Sequence, residues 1–224
     1  MHKRLGLLHK CKLLLCFVIF AACPAFAQAA TIVVDPGHGG TDPGAVGVNG
    51  LYEKNVNRDV SVKLKAELER MGYQVLLTSD TDRSMSLSER VQFKEANGAN
   101  LFVSVHANSH PSSSVQGSMV LYYDRDYPQP SYPASAEMAE LTPLSKQLAL
   151  YVAEAMANKA GTRNLGIVPS AVYVVRNGTM PSILVETAFL SNASDAAKLA
   201  DETFRSNLAA GIAEGIYRSE ERRV

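Results

Sequence analysis

Residues 31–40 read TIVVDPGHGG. A short β-branched run, TIVV, ends in an Asp-Pro turn, a histidine and two glycines, the pattern of a strand that delivers a polar side chain to the edge of a sheet. Strand ends are where α/β folds place their sites, because loops there hold polar groups on a rigid support. His38 is therefore the first candidate ligand, and the rest of the chain is read for what joins it.

The alternation continues outward. After the loop TDPGAVGVNG, Val56, Val60, Leu64, Leu68 and Met71 recur at helical spacing and Gly72 marks a stop, which puts Glu53 in the loop or first turn of that helix. QVLLT (74–78) reads as a strand. SLSERVQFKEANG reads as a helix capped by Ser86 or Ser88 and ended by Asn97-Gly98. LFVSVH (101–106) is another apolar run closed by a histidine, and GSMVLYY (117–123) a further strand. Beyond a Pro-, Tyr- and Ser-rich insert at 124–143, the stripe Leu144, Leu148, Val152, Met156 predicts a helix closing near Gly161. VYVVR and SILVET are read as two strands, and Phe204, Leu208, Ile212 and Ile216 as a last helix. Strands alternating with helices predict one α/β domain: about six strands in a mostly parallel twisted sheet, with four or five helices spread over both faces.

The start of the chain differs from this. Lys3, Arg4, Lys10 and Lys12 precede an apolar core at 13–22 and the small-residue stretch AFAQAA, the three parts of a secretory signal peptide. The core is too short for a bilayer span, which needs about 20 residues. Cleavage is expected near position 28 or 30, set by Ala25/Ala27 or Ala27/Ala29; a lipidated Cys23 is the competing reading, against which Phe20 stands where such signals usually carry Leu. The expected division is 1–29 signal peptide, 30–219 a single folded domain and 220–224 tail.

All three cysteines lie in the leader, so the exported domain has neither disulfide nor thiol nucleophile. Removing four of the 22 basic residues leaves 18 against 22 acidic ones, a net charge near −4, the wrong sign for a nucleic-acid binder. A monomer is expected.

Three histidines remain outside the leader: His38, His106 and His110. His38 and His106 share a context, each following an apolar strand and preceding small or polar residues. His110, in HANSHPSSS, is expected to be solvated. Catalytic zinc sites use three His, Glu or Asp ligands, and by spacing Asp35, Asp42 and Glu53 are all eligible as the carboxylate. Asp35 more simply stabilises the turn before Pro36, and Glu53 a helix N-terminus. Glu186, at the end of the apolar run SILV, needs either a structural partner, Arg176 or Arg83, or a role as general base, since a buried carboxylate is costly when unpaired.

Four blocks in order, DPGHGGTDPGAVG, LYEKNVNRDV, SDTDRSMSLSERVQFKEANGANLFVSVHAN and MPSILVETAFLSN, resemble the zinc-dependent N-acetylmuramoyl-L-alanine amidases of the Amidase_3 family over residues 32–217, essentially the whole chain after the leader. The resemblance implies that His38, Glu53 and His106 hold Zn2+ and that Glu186 is the catalytic carboxylate. It also implies a peptidoglycan substrate, cut by zinc-activated water at the amide joining N-acetylmuramic acid to L-alanine, and an exported protein of the periplasm or cell wall. Thr187 and Ala188 stand where the family often has Gly before the Phe. Some relatives cover the site with a segment at the position of 124–143 until a protein activator displaces it, which would bring Glu137 or Glu140 toward the metal; a solvated connection is the simpler expectation. A zinc carboxypeptidase or endopeptidase acting on the stem peptide, and a non-catalytic wall-binding module, are the alternatives. With so little chain outside the domain, localisation in the envelope is expected to come from the domain itself or a partner.

Overall fold

The computed structural model describes residues 29–222. The expected signal peptide, apart from residue 29, and the Cys23 alternative lie outside the described residues. The chain runs β1(Thr31–Pro36), α1(Glu53–Arg70), β2(Gln74–Leu77), α2(Leu87–Ala96), β3(Leu101–Asn108), β4(Ser118–Tyr122), α3(Ala136–Glu140), α4(Thr142–Ala160), β5(Asn164–Pro169), α5(Tyr173–Arg176), β6(Ser182–Phe189), α6(Ala193–Ala200) and α7(Glu202–Glu221).

One six-stranded sheet in the order β2-β1-β3-β6-β4-β5 forms the middle layer. β2, β1, β3 and β6 are mutually parallel, whereas β4 runs antiparallel to β6 and carries β5 parallel to itself. Helices cover both faces. Ile32, Val34, Val103, Val105, Ile183 and Val185 join α1, α4 and α7 in the larger core. Alternate residues Val33, Phe102 and Leu184 join α2 and α5 in the smaller. The side-chain period of two along a strand makes this division.

The central strands β1 and β3 are adjacent, but the chain leaves them in opposite directions: from β1 it passes to the edge strand β2, from β3 toward β4 on the far side. The loops after their carboxyl ends therefore diverge and open a crevice, the usual ligand position in open α/β sheets. His38 lies just beyond β1 and His106 near the end of β3.

The architecture agrees with the reading from sequence; two elements differ from it. VYVVR is not a strand but the single helical turn α5, with Val174 and Val175 buried. The sixth strand is instead NLGIVP, β5, an edge strand of mostly half-exposed residues interrupted by Gly166 at φ 85°. β-Branched composition marks a residue as suited to burial as much as to a strand, and an edge strand with little to bury leaves little periodicity. The seven helices among the described residues exceed the four or five expected by short ones, α3, α5 and α6. Met71 is an exposed C-cap and not part of the α1 stripe. At the other end, α7 continues through Glu221.

Candidate metal centre

The loop after β1 turns sharply. His38 has φ 63°, the one positive φ among non-glycine residues described, and Gly39 and Gly40 follow with positive φ as well. The loop is folded so tightly that a Cβ on Gly37 would fall 2.3 Å from ring atoms of His106. Only glycine lets the two strand ends come this close. From the opposite side, α1 begins at Glu53, 5 % exposed, whose backbone N–H donates to Ala45 O at 2.9 Å.

These three elements bring His38, Glu53 and His106 together, with one ligand atom of each within 4.8 Å of the others. Glu53 Oε1 lies 3.1 Å from His38 Nε2 and 2.9 Å from His106 Nδ1. Donor atoms sharing one tetrahedral ion at about 2.0–2.1 Å sit about 3.3 Å from one another, so Glu53 Oε1 stands at nearly the separation from each histidine that a shared zinc ion requires. The donor set fits too: two imidazoles and one carboxylate leave a bound dication net positive, as a Lewis acid must be.

Each of the three side chains is oriented by further partners, as is usual for side chains that bind a metal. Asp42 Oδ2 holds His38 Nδ1 at 2.7 Å, which fixes that nitrogen as the donor and turns Nε2 toward Glu53. Asp42, eligible by spacing as a ligand, thus stands one step behind the site. Glu53 Oε2 accepts from Ala45 N at 2.8 Å, while Oε1 accepts from Ala107 N at 3.2 Å and from Asn57 Nδ2 at 3.3 Å. Thr187, the departure from the common family pattern, donates its hydroxyl to His106 O at 2.9 Å and ties β6 to β3 beside the cluster.

The electrostatics favour a cation. Hydrogen bonding to Glu53, above all, pushes the His38 imidazole up to about 9, against the effect of burial. Burial would raise the Glu53 carboxyl, but its contacts with His106 and His38 outweigh that and hold it well below the usual carboxylate range.

Glu186 is paired in register with His106 across β3 and β6. Because Val103, Val105 and Val185 point into the larger core, His106 and Glu186 share the opposite face. Glu186 is not one of the clustered ligands. Its Oε2 is enclosed without a hydrogen-bond partner, and burial pushes the carboxyl up to about 7, with Glu53 adding to the shift and the two histidines opposing it. The two arginines considered as structural partners are engaged elsewhere: Arg176 donates to Pro133 O, and Arg83 to Thr78 O and Ser79 Oγ.

A cleft of about 340 Å³ opens beside His38 and His106 and runs between α2 and α5, lined by Met85, Leu87, Val172 and Val174. His110 stays in an exposed loop, its Nδ1 accepting from Ser112 N. The 124–143 segment folds against α5, through Arg176 to Pro133 O and Ser135 Oγ to Gly178 O. Glu137 and Glu140 are exposed and outside the metal-ligating cluster, and Glu140 pairs with Arg125.

A family model described as N-acetylmuramoyl-L-alanine amidase, Amidase_3, matches residues 32–218. The chain belongs to the Amidase_3 family. Among its relatives, N-acetylmuramoyl-L-alanine amidase LytC of Bacillus subtilis is 40% identical over 185 residues, which cover 83% of this chain and 34% of LytC. The chain thus spans about a third of that relative's length. The catalytic domain of the amidase CwlV from Bacillus (Paenibacillus) polymyxa superimposes with a TM-score of 0.74 at 35% identity, covering 86% of this chain and 98% of that one. The amidase CwlD of Clostridioides difficile, solved in complex with the GerS lipoprotein, gives 0.76 at 28% identity, covering 86% and 99%.

Two residues that shape the site, Asn57 and Arg90, were not singled out from sequence, nor was the supporting role of Asp42. Asp42 lies four residues after His38, a spacing that hints at a contact only once the turn is known. Asp35 also differs from expectation. It makes no turn with local amides; buried at 0 % exposure, it accepts from Arg90, Thr78 and Ser104.

Proposed function

We propose that this chain is a zinc-dependent peptidoglycan hydrolase that cleaves the amide between the lactyl group of N-acetylmuramic acid and L-alanine of the stem peptide. The observation that carries the reading is a His/Glu/His cluster beside Glu186, a carboxylate that shares a sheet face with His106 and whose Oε2 is enclosed without a hydrogen-bond partner, in a chain whose domain is that of an amidase family.

His38, Glu53 and His106 would hold the zinc, which supplies Lewis acidity toward the scissile carbonyl and lowers the pKa of a bound water. Asp42 keeps the His38 ring in the tautomer that leaves Nε2 free. Glu186 accepts the proton of the attacking water and returns it to the departing nitrogen, without which an amide does not expel its amine at a useful rate. Its unpartnered oxygen supports this role, since no structural contact occupies it, and a carboxyl poised near neutrality both takes and gives a proton at working pH. The cleft between α2 and α5 is the side from which substrate reaches the cluster.

The substrate places the protein outside the cytoplasm, in the periplasm or cell wall, consistent with the leader-like start of the sequence. No described helix is long and apolar enough to cross a membrane. A protein partner is part of this reading, because CwlD was solved in complex with the GerS lipoprotein; such a partner would act as activator of a catalytic unit that works as a monomer.

Digestion of purified peptidoglycan with and without chelator tests the reading. Mass analysis should find glycan strands freed of peptide, and release should stop when the metal is removed. Fragments cut within the stem peptide would instead identify a carboxypeptidase or endopeptidase, and release that survives chelation would remove zinc from the account.

A further inference from the structure

Five successive main-chain carbonyls, from the last residue of β1 into the loop that follows, are captured, four of them by side chains of other elements. Pro36 O and His38 O both accept from the Arg90 guanidinium, each at 2.7 Å. Gly37 O accepts from Asn57 Nδ2 at 3.1 Å, Gly39 O from Asp42 N at 3.1 Å and Ser84 Oγ at 3.3 Å, and Gly40 O from Lys54 Nζ at 2.8 Å. Between the two carbonyls that Arg90 holds lies the turn that carries His38 into its left-handed conformation, φ 63°. That conformation costs free energy for a residue with a Cβ and persists only where the surroundings hold it.

Arg90 suits the task by chemistry. A guanidinium presents several donors in a rigid plane, so one side chain bridges two carbonyls and still pairs with a carboxylate. That carboxylate is Asp35, 2.6 Å from Nη1, and its own oxygens are fixed by Thr78 Oγ1 at 2.5 Å and Ser104 Oγ at 2.7 Å. Both charges are enclosed, Arg90 at 5 % and Asp35 at 0 % exposure. Thus α2 and the strands β1 and β3 grip the backbone of the β1 loop through one charged pair, with no hydrogen bond to the imidazole ring.

We propose that Arg90, braced by Asp35, is the positioning residue for His38: it holds the backbone on both sides of the left-handed turn and thereby sets the metal affinity of the site. This rests on the reading of His38 as a zinc ligand. A flexible loop would have to order His38 each time an ion binds, whereas the clamped loop presents Nε2 already ordered.

Zinc affinity of the full chain, measured by competition with a chromophoric chelator, is read beside the melting temperature of the zinc-free protein. Arg90→Lys keeps the charge opposite Asp35 but lacks the planar fork. Its zinc Kd is expected to rise tenfold to a hundredfold, the range for outer-shell partners, with the zinc-free melting temperature within a few degrees of the parent. The neutral pair Arg90→Gln with Asp35→Asn leaves no buried charge unpaired and should weaken zinc similarly. A Kd within twofold of the parent in a folded variant overturns the proposal, as does unfolding of both variants, which would make the pair a structural brace alone. His38→Ala in the same assay separates the two readings: if it binds zinc like the parent, the ligand reading itself fails.

Discussion

At the scale of single residues, Glu186 and Gly37 carry opposite kinds of information. Glu186 is held on a rigid central strand with one oxygen enclosed and unpartnered, an arrangement that stability alone would not favour, since an unsatisfied buried oxygen costs about 1–3 kcal/mol. Glu186→Gln preserves shape and removes the basic carboxylate. It should keep its zinc, read as metal per chain by atomic absorption, while peptide release falls by about 10²–10⁴, the usual worth of a positioned acid-base group; parental turnover would end the assignment. Gly37 contributes only its lack of a side chain. A methyl there would meet three ring atoms of His106 at 2.3–2.7 Å, so Gly37→Ala must displace the ring, and zinc retained after dialysis should drop sharply although no ligand has been changed.

At the scale of elements, α2 is the helix that joins the site to the smaller core. Its first turn is set by a capping box of Ser86 and Glu89. One face sends Arg90 to the β1 loop, and one turn later the fully buried Lys94 donates to Val174 O and Ser182 Oγ, each at 2.9 Å, fastening α5 and the start of β6. The ammonium also lies 4.4 Å from the Phe102 ring centroid. Burial nevertheless pulls the Lys94 amine down to about 7, with Glu95 and Asp35 opposing the shift. Its pKa is lower folded than unfolded, so between about pH 7 and 10 the unfolded chain binds more protons, and Lys94 makes stability rise with pH across that window, at up to about 1.4 kcal/mol per unit. Lys94→Met should flatten that rise. Urea unfolding of parent and variant at several pH values measures it, and parallel curves would contradict the buried-amine account.

Across the whole molecule, the site and the thickest part of the core lie apart. α4 and α7 pack against each other behind the sheet at glycines: a Cβ on Gly215 would stand 2.5 Å from Val152 Cα and one on Gly211 2.6 Å from Met156 Cα, backbone atoms that cannot step aside. Gly215→Val should force the helices apart and cost about 1–3 kcal/mol or more, seen as a lower urea midpoint. Because His38, Glu53 and His106 hang from β1, β3 and α1, the folded fraction of this variant should keep its parental zinc Kd. A loss of affinity at temperatures where the variant is folded would show that the two regions are coupled.

The sequence by itself determined the layers and the candidates. Apolar periodicity gave α1, α4, α7 and the buried strands because burial of one face is the dominant local constraint. Two histidines in matching strand-end contexts marked themselves, and the resemblance to a family chose Glu53 where spacing left three carboxylates open. It misread α5 and β5, where burial and periodicity part company. Only the tertiary structure decided that the ends of β1 and β3 meet α1 at one point, that Asp42 orients His38 rather than competing with Glu53, that Asp35 answers Arg90 across 55 residues, and that the oxygen of Glu186 is left without a partner. The physical reason is the same in each case. Hydrophobic patterning is written in the spacing of neighbours along the chain, whereas a polar group reveals its purpose only through partners that the fold brings from far away.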